Sequence, residues 1–410
     1  MFLPNQIREV YFLFKDIFDD LGIPYTHGCA LLLMHFLGIA RFCEFARTCP
    51  WGGSVSTLAK YAGLFDSNRF MRRNLKRVLD RISESGHGEY CFAIDDTANP
   101  KYGNSCFGSS SFGSSGGKYF GQKILVLALV DMRTRKAYPL QYAFLTGKKD
   151  PDHIPANVVA IELLHHVIDY GYPPFPVTTD SWFDSKEFIQ SVHSFGCDFA
   201  GELKSTRNIK NNPGPYNPVT KLTKWFRYKT HKRLPQTKYQ KRSEKRGKAY
   251  SEDILYISGL GRPLKVIAVY RRINGASAFA YYATTNLTMT GSQLWKYSRG
   301  RWAIEVMFRD LKQSLGFGRL TAGGEGGANL SVCIPLILYT SMQTDSKKIW
   351  NSSGKDSIGT LVKKVREIAF SKSLDHIINQ PNGPKLKMLK ARRKNPNQKP
   401  TNICGEQLSA

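Results

Sequence analysis

The chain has 410 residues and a formal net charge of +27, from 59 Lys and Arg against 32 Asp and Glu. This length predicts two or three domains, and a hydrophobic content of 41% excludes a disordered chain. So large a positive charge indicates a polyanionic partner, either nucleic acid or an anionic membrane surface, and it fits poorly with an enzyme that hydrolyses glycosides.

The sequence predicts no membrane span, signal peptide or structural zinc site. The longest apolar run, residues 30–40, is interrupted by His35 and falls short of the roughly 18 residues that a spanning helix needs. The N-terminal MFLPNQIREVYF lacks a basic stretch followed by an apolar one, so we expect a cytoplasmic protein without a membrane partner. The eight cysteines form no C-x-x-C pair and are expected to be free thiols.

Residues 1–85 are predicted to form a helical domain. Within them, residues 54–70 resemble a helix, a turn at Gly63 and the start of a second helix. The second helix is rich in basic residues, among them Arg69, Arg72, Arg73 and Lys76. This pattern is typical of a DNA-binding helix-turn-helix, and the alternative is a helical hairpin with a solvated basic face.

Residues 86–203 alternate between strand and helix patterns. Two short apolar strands, over 90–94 and 175–179, each end at aspartate: Asp95 and Asp96 follow the first, and Asp180 follows the second. A hairpin, residues 123–145, and an amphipathic helix, residues 154–170, lie between them.

A Gly- and Ser-rich stretch, residues 104–117, follows the first aspartates. It lacks the Lys-Ser/Thr ending of a phosphate-binding P-loop, so we expect a mobile loop there.

Residues 204–290 are predicted to be an inserted β-rich module. Between residues 204 and 250 there are 15 Lys and Arg and one acid, Glu244, and aromatic residues are interleaved with the cations: Trp225, Phe226, Tyr228 and Tyr239. Cations suit phosphates and aromatic rings suit bases, so the composition predicts a nucleic-acid surface.

One helix, predicted over residues 295–315, carries a polar stripe beside an apolar one. Arg301, Glu305 and Lys312 recur at helical spacing on one face. Such a stripe is usually a solvated face held by ion pairs. Together with the two strand-end aspartates and the charge of the chain, it indicates a functional site. Three carboxylates gathered at strand ends repel one another unless cations neutralise them, and such oxygen ligands suit Mg²⁺ or Mn²⁺.

These motifs resemble those of the DDE transposases of bacterial insertion sequences, in the group with a β-strand insertion and a Tyr-Arg-Glu-Lys signature. Arg301-Trp302-x-Ile304-Glu305, with Lys312 seven residues after the Glu, resembles the signature. Ile94-Asp95-Asp96-Thr97 and Thr179-Asp180-Ser181 resemble the two Asp motifs. The family's Tyr lies three residues before the Arg, where this chain has Ser298, and Tyr297 is its neighbour.

The resemblance implies a catalytic triad of Asp96, Asp180 and Glu305 that holds two Mg²⁺ or Mn²⁺ ions. Asp96 is preferred to Asp95 because the family's aspartate immediately precedes a Thr, but the choice between the two stays open. The resemblance also implies DNA-binding roles for Arg301, Lys312 and Tyr297. The implied partners are the terminal inverted repeats of the element and target DNA, bound by a homodimer in a synaptic complex in the bacterial nucleoid.

The expected fold is α/β, with a ribonuclease H-like core interrupted by a β-rich insertion and preceded by a helical DNA-binding domain. The predicted divisions are residues 1–85, 86–203, 204–290, 291–345, with the Glu helix, and 346–410, a helix and a basic tail. The expected function is metal-dependent cleavage at element ends and strand transfer into target DNA. The alternatives are a related metal-dependent nuclease without strand transfer, or a catalytically inactive DNA-binding protein derived from a transposase.

Overall fold

The structure, a computed structural model, is a mixed α/β protein with two sheets surrounded by helices. It describes residues 3–84, 86, 88–101, 106–114, 117–210, 219–227, 229–234, 248–271, 277–321, 323–352 and 356–378. The predicted basic tail, residues 385–399, lies outside these ranges. So do Tyr228, Tyr239 and much of the basic stretch between residues 204 and 250.

The N-terminal region is helical, as its hydrophobic periodicity predicts. Its helices are α1 (Asn5–Leu13), α2 (Lys15–Asp20), α3 (Tyr25–Leu37), α4 (Phe42–Thr48), α5 (Val55–Gly63) and α6 (Ser67–Glu84), with a short 3₁₀ turn at Pro50–Gly52. Among the described residues no single helix is long and apolar enough to cross a membrane, and only the sharply bent pair of α3 and α4 passes that test together.

The first sheet has five strands. They are β1 (Tyr90–Pro100), β2 (Ser109–Ser114), β3 (Gly117–Asp131), β4 (Lys136–Leu145) and β5 (Val177–Thr178). β1 pairs antiparallel with β3 and parallel with β5, while β2 and β4 pair with β3. The prediction of a mobile loop over residues 104–117 is wrong for the central part, where β2 pairs with the first half of β3.

Helices α7 (Ala156–Asp169) and α8 (Lys186–Ser194) flank β5, and a 3₁₀ turn at Ser181–Phe183 follows it. The second sheet combines one strand from the range 86–203 with strands from residues 204–290, the predicted insertion. It contains β6 (Ala200–Leu203), β7 (Asn208–Lys210), β8 (Val219–Lys221), β9 (Lys232–Arg233), β10 (Ala249–Ile257), β11 (Pro263–Tyr270) and β12 (Ala280–Thr284), and the short helix α9 (Leu222–Trp225). Its order is β6-β12-β11-β10-β7-β8, with β9 against β10.

The remaining helices are α10 (Gly291–Gly300), α11 (Trp302–Ser314), α12 (Gly324–Thr344) and α13 (Ile358–Ile378). The single helix predicted over residues 295–315 is therefore two helices that meet at Arg301. Its apolar stripe is buried as predicted, at Ile304, Met307, Leu311 and Leu315.

Strand alternation gives β1 two different surroundings. Cys91 and Ala93 belong to a core that joins α1–α5 to α11–α13, and Phe92 and Ile94 belong to a core formed with α7, α8 and one face of the second sheet. The N-terminal helices thus share a core with the C-terminal ones. α6 spans both cores, with Phe70 in the first and Leu75 in the second.

Candidate active site

The two adjacent aspartates lie in the middle of β1 and point to opposite faces of the first sheet. The prediction of a strand that ends at residue 94 is wrong, because pairing with β3 continues to Pro100. Residues alternate along a strand, so Asp95 continues the face of Cys91 and Ala93, and Asp96 continues the face of Phe92 and Ile94. The first of these faces is covered by α11, which carries Glu305. The backbone therefore places Asp95, not Asp96, on the face of the Glu305 helix.

Arg301 joins Asp95 to Glu305. Its Nη1 lies 2.7 Å from Oδ2 of Asp95, and its Nη2 lies 2.6 Å from Oε1 of Glu305. All three side chains are less than one-third exposed. Burial lowers the pKa of Arg301, but the negative charges of Asp95 and Glu305 outweigh it and raise the pKa overall. The guanidinium is a fixed positive charge between two carboxylates.

Gly300 permits this close approach. It is buried where α10 ends. A Cβ added there would lie 2.8 Å from Sδ of Met132 and 3.0 Å from Sγ of Cys91. Contacts this short would require Met132, Cys91 or the helix to shift, so the absence of a side chain favours the close packing in which Arg301 reaches Asp95.

Asp96 has cationic partners of its own. Nζ of Lys123, on the neighbouring strand β3, lies 3.1 Å from Oδ2 of Asp96. Lys312 donates from Nζ to the backbone oxygen of Ala98, at 2.7 Å, and its charge also acts on Asp96. Burial raises the pKa of Asp96 and the positive charge of Lys123 opposes that increase. Burial lowers the pKa of Lys312. Lys312 thus ties α11 to the end of β1.

Asp180 lies level with Asp95 because β5 runs parallel to β1 beside it, with Phe92 opposite Val177 and Ala93 opposite Thr178. Its Oδ1 accepts the backbone N–H of Trp182 at 2.9 Å, which caps the 3₁₀ turn. Burial raises the pKa of Asp95 to about 7; Arg301 opposes the rise, and the negative charges of Asp180 and Asp96 add to it. The two predicted strand-end sites are therefore brought together.

A further carboxylate, Glu202 on β6, also lies at this site and was missed by the sequence analysis. Its backbone N–H donates to the oxygen of Thr179 at 3.1 Å, so Glu202 is beside Asp180. Burial raises the pKa of Glu202, Arg301 opposes this, and the charges of Asp180 and Glu305 add to it. The available signal was an acid in a third strand, of the same kind that marked the two aspartates.

A pocket of about 330 Å³ opens beside these groups. Its lining residues are Thr179, Glu202, Tyr282, Ser298, Arg299, Arg301 and Trp302. The buried Oγ1 of Thr179 has no hydrogen-bond partner in the described part of the chain. Trp302, at the pocket, is 62% exposed. The pocket thus combines cations, a carboxylate and an unsatisfied hydroxyl with an accessible ring.

The carboxylates do not form a finished metal site. Across the described ranges, no three Asp, Glu, His or Cys side chains are grouped closely enough to hold an ion as they stand. The geometry explains this, because Arg301 lies between Asp95 and Glu305. The donors are all oxygen atoms, which hard divalent cations prefer.

Tyr297 points away from this pocket. Burial raises the pKa of Tyr297 to about 12, and the charge and a hydrogen bond of Glu89 add to the increase. Glu89 precedes β1 at the end distant from Asp95. Ser298, the next residue, lines the pocket beside Arg301.

Three of the four named cations of α6 are engaged within the protein. Arg69 lies 2.5 Å from Asp20, Arg73 pairs with Asp16, and Lys76 lies 2.9 Å from Asp80. Arg72 is exposed and forms no ion pair with a described residue. In the insertion, Phe226 is 1% exposed and Trp225 donates to Asp253 at 2.9 Å, so the ring of Phe226 is inaccessible to a base.

Two comparisons with known proteins give a match. A solved structure of similar fold is the piggyBac transposase in a cryo-EM synaptic complex with hairpin DNA; it has a TM-score of 0.47 and 12% sequence identity, over 92% of this chain and 77% of that one. No curated protein matches the sequence. The family model described as a transposase DDE domain matches residues 86–340, which is more than half of the chain. The protein therefore belongs to the family of transposases with a DDE domain.

Proposed function

We propose that the protein is a DNA transposase of an insertion sequence, which cuts the DNA at the element's ends and joins the freed ends to target DNA. The observation that carries the proposal is the Arg301 bridge between Asp95 and Glu305, with Asp180 and Glu202 beside it. Four carboxylates around one cation suit metal-assisted phosphoryl transfer rather than a structural salt bridge.

A ribonuclease H-like core is supported by the order of the first sheet. Three antiparallel strands, β4-β3-β1, are followed by the parallel strand β5, and Phe199 forms a further parallel bridge with Val177. We propose that this sheet is the catalytic core, with the second sheet as its insertion and residues 291–345 completing it.

We infer that Asp95, with Asp180 and Glu305, forms the triad. The prediction of Asp96 rested on its position before Thr97, whereas the strand alternation puts Asp95 on the Glu305 side. Asp96 pairs with Lys123, and the charges of Asp180 and Lys312 also act on it, so its role remains a prediction that Asp96→Asn tests in the same assay.

The donor chemistry of the site fits two Mg²⁺ or Mn²⁺ ions, for which Asp95, Asp180 and Glu305 would be the ligands. When bound, such ions stabilise the negative charge that develops on the phosphate oxygens. A cation that took Asp95 and Glu305 as ligands would compete with the Arg301 guanidinium for the same oxygens. Released in this way, Arg301 would be a planar donor for a DNA phosphate next to the carboxylates.

Lys312 and Lys123 provide further positive charge at the end of β1, and Lys312 holds α11 against the strand. Their role in the proposal is to position the DNA end. Arg72, which forms no ion pair with a described residue, would contribute to DNA binding by the N-terminal helices; for Arg69, Arg73 and Lys76 such a role would require them to leave their present ion pairs. We propose a homodimer that binds two terminal repeats and acts in the bacterial cytoplasm.

The test is single-turnover cleavage of a labelled terminal repeat in Mg²⁺, with protein in excess. Asp95→Asn, Asp180→Asn and Glu305→Gln should each abolish cleavage while binding of the DNA changes by no more than a few-fold. Asp169→Asn, at the exposed end of α7, is the matched control and should cleave normally.

The products separate the alternatives. Cleaved ends that join to a supercoiled target plasmid support a transposase, and cleavage without joining supports a nuclease. DNA binding by the wild type without cleavage in either Mg²⁺ or Mn²⁺ would refute both activities and leave a DNA-binding protein.

A further inference from the structure

A second pocket, of about 440 Å³, lies at the other end of β1 from Asp95. It is formed by the end of α6, the residues that lead into β1, the turn between β3 and β4, and α10. The charged residues in its lining are Arg81, Glu89, Asp131, Arg133, Lys136 and Lys296.

Both acids of this pocket are already engaged. Glu89 forms an ion pair with Lys296. Oδ1 of Asp131 accepts the backbone N–H groups of Arg133, at 2.8 Å, and Thr134, at 3.0 Å, within the β3–β4 turn. The pocket therefore has more positive than negative charge.

The other three cations converge without an ion pair to any residue in the described ranges. Arg81 and Arg133 are exposed at the rim, and Lys136 is half-buried at the start of β4. Burial lowers the pKa of Lys136, and the positive charge of Arg81 lowers it further, although Asp131 opposes both. Like charges held together in this way destabilise the free protein unless an anion joins them.

We propose that this basic pocket, formed by Arg81, Arg133 and Lys136, binds a backbone phosphate of DNA whose scissile phosphate lies at the carboxylates. The inference rests on the proposed function. Two arginines and a lysine provide the donors that phosphate oxygens accept, and the formal charge of +27 indicates a polyanionic partner for the chain as a whole.

The strand sets the separation between the two sites. Six residues along β1 separate Glu89 from Asp95, which corresponds to about 20 Å in an extended strand. The bound phosphate should therefore lie about 20 Å from the scissile one.

The first experiment measures how the affinity for duplex DNA depends on salt. Lys136→Gln and Arg133→Gln should each reduce the log–log slope by about one unit, because each removes one phosphate contact. Lys136→Arg keeps the charge and should keep the slope. Lys363→Gln is the matched control, because Lys363 is at an exposed position of α13 beside Glu367. It should also leave the slope unchanged.

The second experiment replaces single phosphates of a terminal repeat by uncharged methylphosphonates. The wild type should lose affinity at one phosphate away from the cleavage site, and Arg133→Gln should show no further loss at that position. Such coupling identifies the protein group that contacts the phosphate. Because Arg133 is exposed in a turn, its replacement does not disturb the core.

Equal salt slopes for the wild type and both glutamine variants would overturn the proposal. So would unchanged DNA binding combined with loss of inorganic phosphate binding, measured by thermal stabilisation, because the pocket would then bind a small phosphate instead. Both readouts are independent of cleavage. A wild type that binds DNA through this pocket but never cuts it would refute the proposed function and leave this inference standing.

Discussion

Replacing Asp95 by asparagine should stabilise the metal-free protein at pH 8 and abolish DNA cleavage. The carboxyl is 14% exposed, and Asp180 and Asp96 contribute negative charge around it. Asparagine keeps the shape and the hydrogen-bonding oxygen without the charge. The variant should therefore lose a metal ligand and be relieved of charge repulsion.

The magnitude follows from the pKa of Asp95, which burial raises from 3.8 to about 7. Between these values the folded protein keeps a proton that the unfolded chain has lost, so wild-type stability falls as the pH rises from about 4 to about 7. At about 1.4 kcal/mol for each pKa unit, the loss is at most about 4 kcal/mol. The stability advantage of Asp95→Asn should be near zero at pH 4 and should grow to this limit by pH 8.

The assay is denaturant unfolding in EDTA at pH 4, 6 and 8, with Asp169→Asn as the control that should follow the wild type throughout. Cleavage is measured in parallel with Mg²⁺ present. A stability advantage of Asp95→Asn that is the same at all three pH values would refute the proposed charge repulsion. If Asp95→Asn cleaved normally and Asp96→Asn were inactive, the metal ligand would be Asp96 instead of Asp95.

Other parts of the structure give four further predictions. Arg301→Lys should slow single-turnover cleavage about 10²-fold, nearly as much as Arg301→Ala, because lysine cannot bridge as a planar donor. Gly300→Ala should lower the free energy of unfolding by about 1–3 kcal/mol, measured with denaturant, because its Cβ meets Met132. Asp184→Asn should lower it by about 3–5 kcal/mol, because the 1%-exposed carboxylate partners Arg207. A fragment of residues 1–85 should show no cooperative thermal transition by circular dichroism, because its core is completed by α11–α13.

Hydrophobic periodicity predicted most elements of the fold. The hairpin of β3 and β4, the helices α7 and α8 and the strands β6, β10, β11 and β12 follow from it, whereas the short strands β7, β8 and β9 were not predicted. It failed at β2, where Gly and Ser give no apolar alternation and the strand forms because β3 offers a paired edge. Local pattern cannot reveal a pairing that is decided by a distant strand.

The cations of α6 illustrate a second limit. Basic residues on a helix have the same sequence pattern whether they face DNA or their own protein. Here Arg69 and Arg73 reach Asp20 and Asp16, about 50 to 60 residues earlier in the chain. These partners depend on how α1, α2 and α6 pack, which the periodicity of α6 alone does not determine.

The candidate site was predicted from residue types. The side of β1 on which each aspartate lies could be assigned only from the fold. A pair of adjacent aspartates offers two ligands on opposite sides of a strand, and only the location of α11 distinguishes them. Glu202 was missed for the related reason that β6 comes to Asp180 through the hydrogen bond to Thr179. The sequence shows an acid in a strand there, but it does not show that this strand lies beside Asp180.

The tyrosine of the pocket comes from a different element than the resemblance implies. Ser298 and Arg301 line the same pocket, while the hydroxyl of Tyr297 is drawn to Glu89. Adjacent helical residues point in different directions, so Tyr297 cannot take the place of a ring at Ser298. An aromatic ring nevertheless lines the pocket, because Tyr282 reaches it from β12. Burial raises the pKa of Tyr282 to about 12, so the phenol stays protonated and can donate a hydrogen bond next to Arg301.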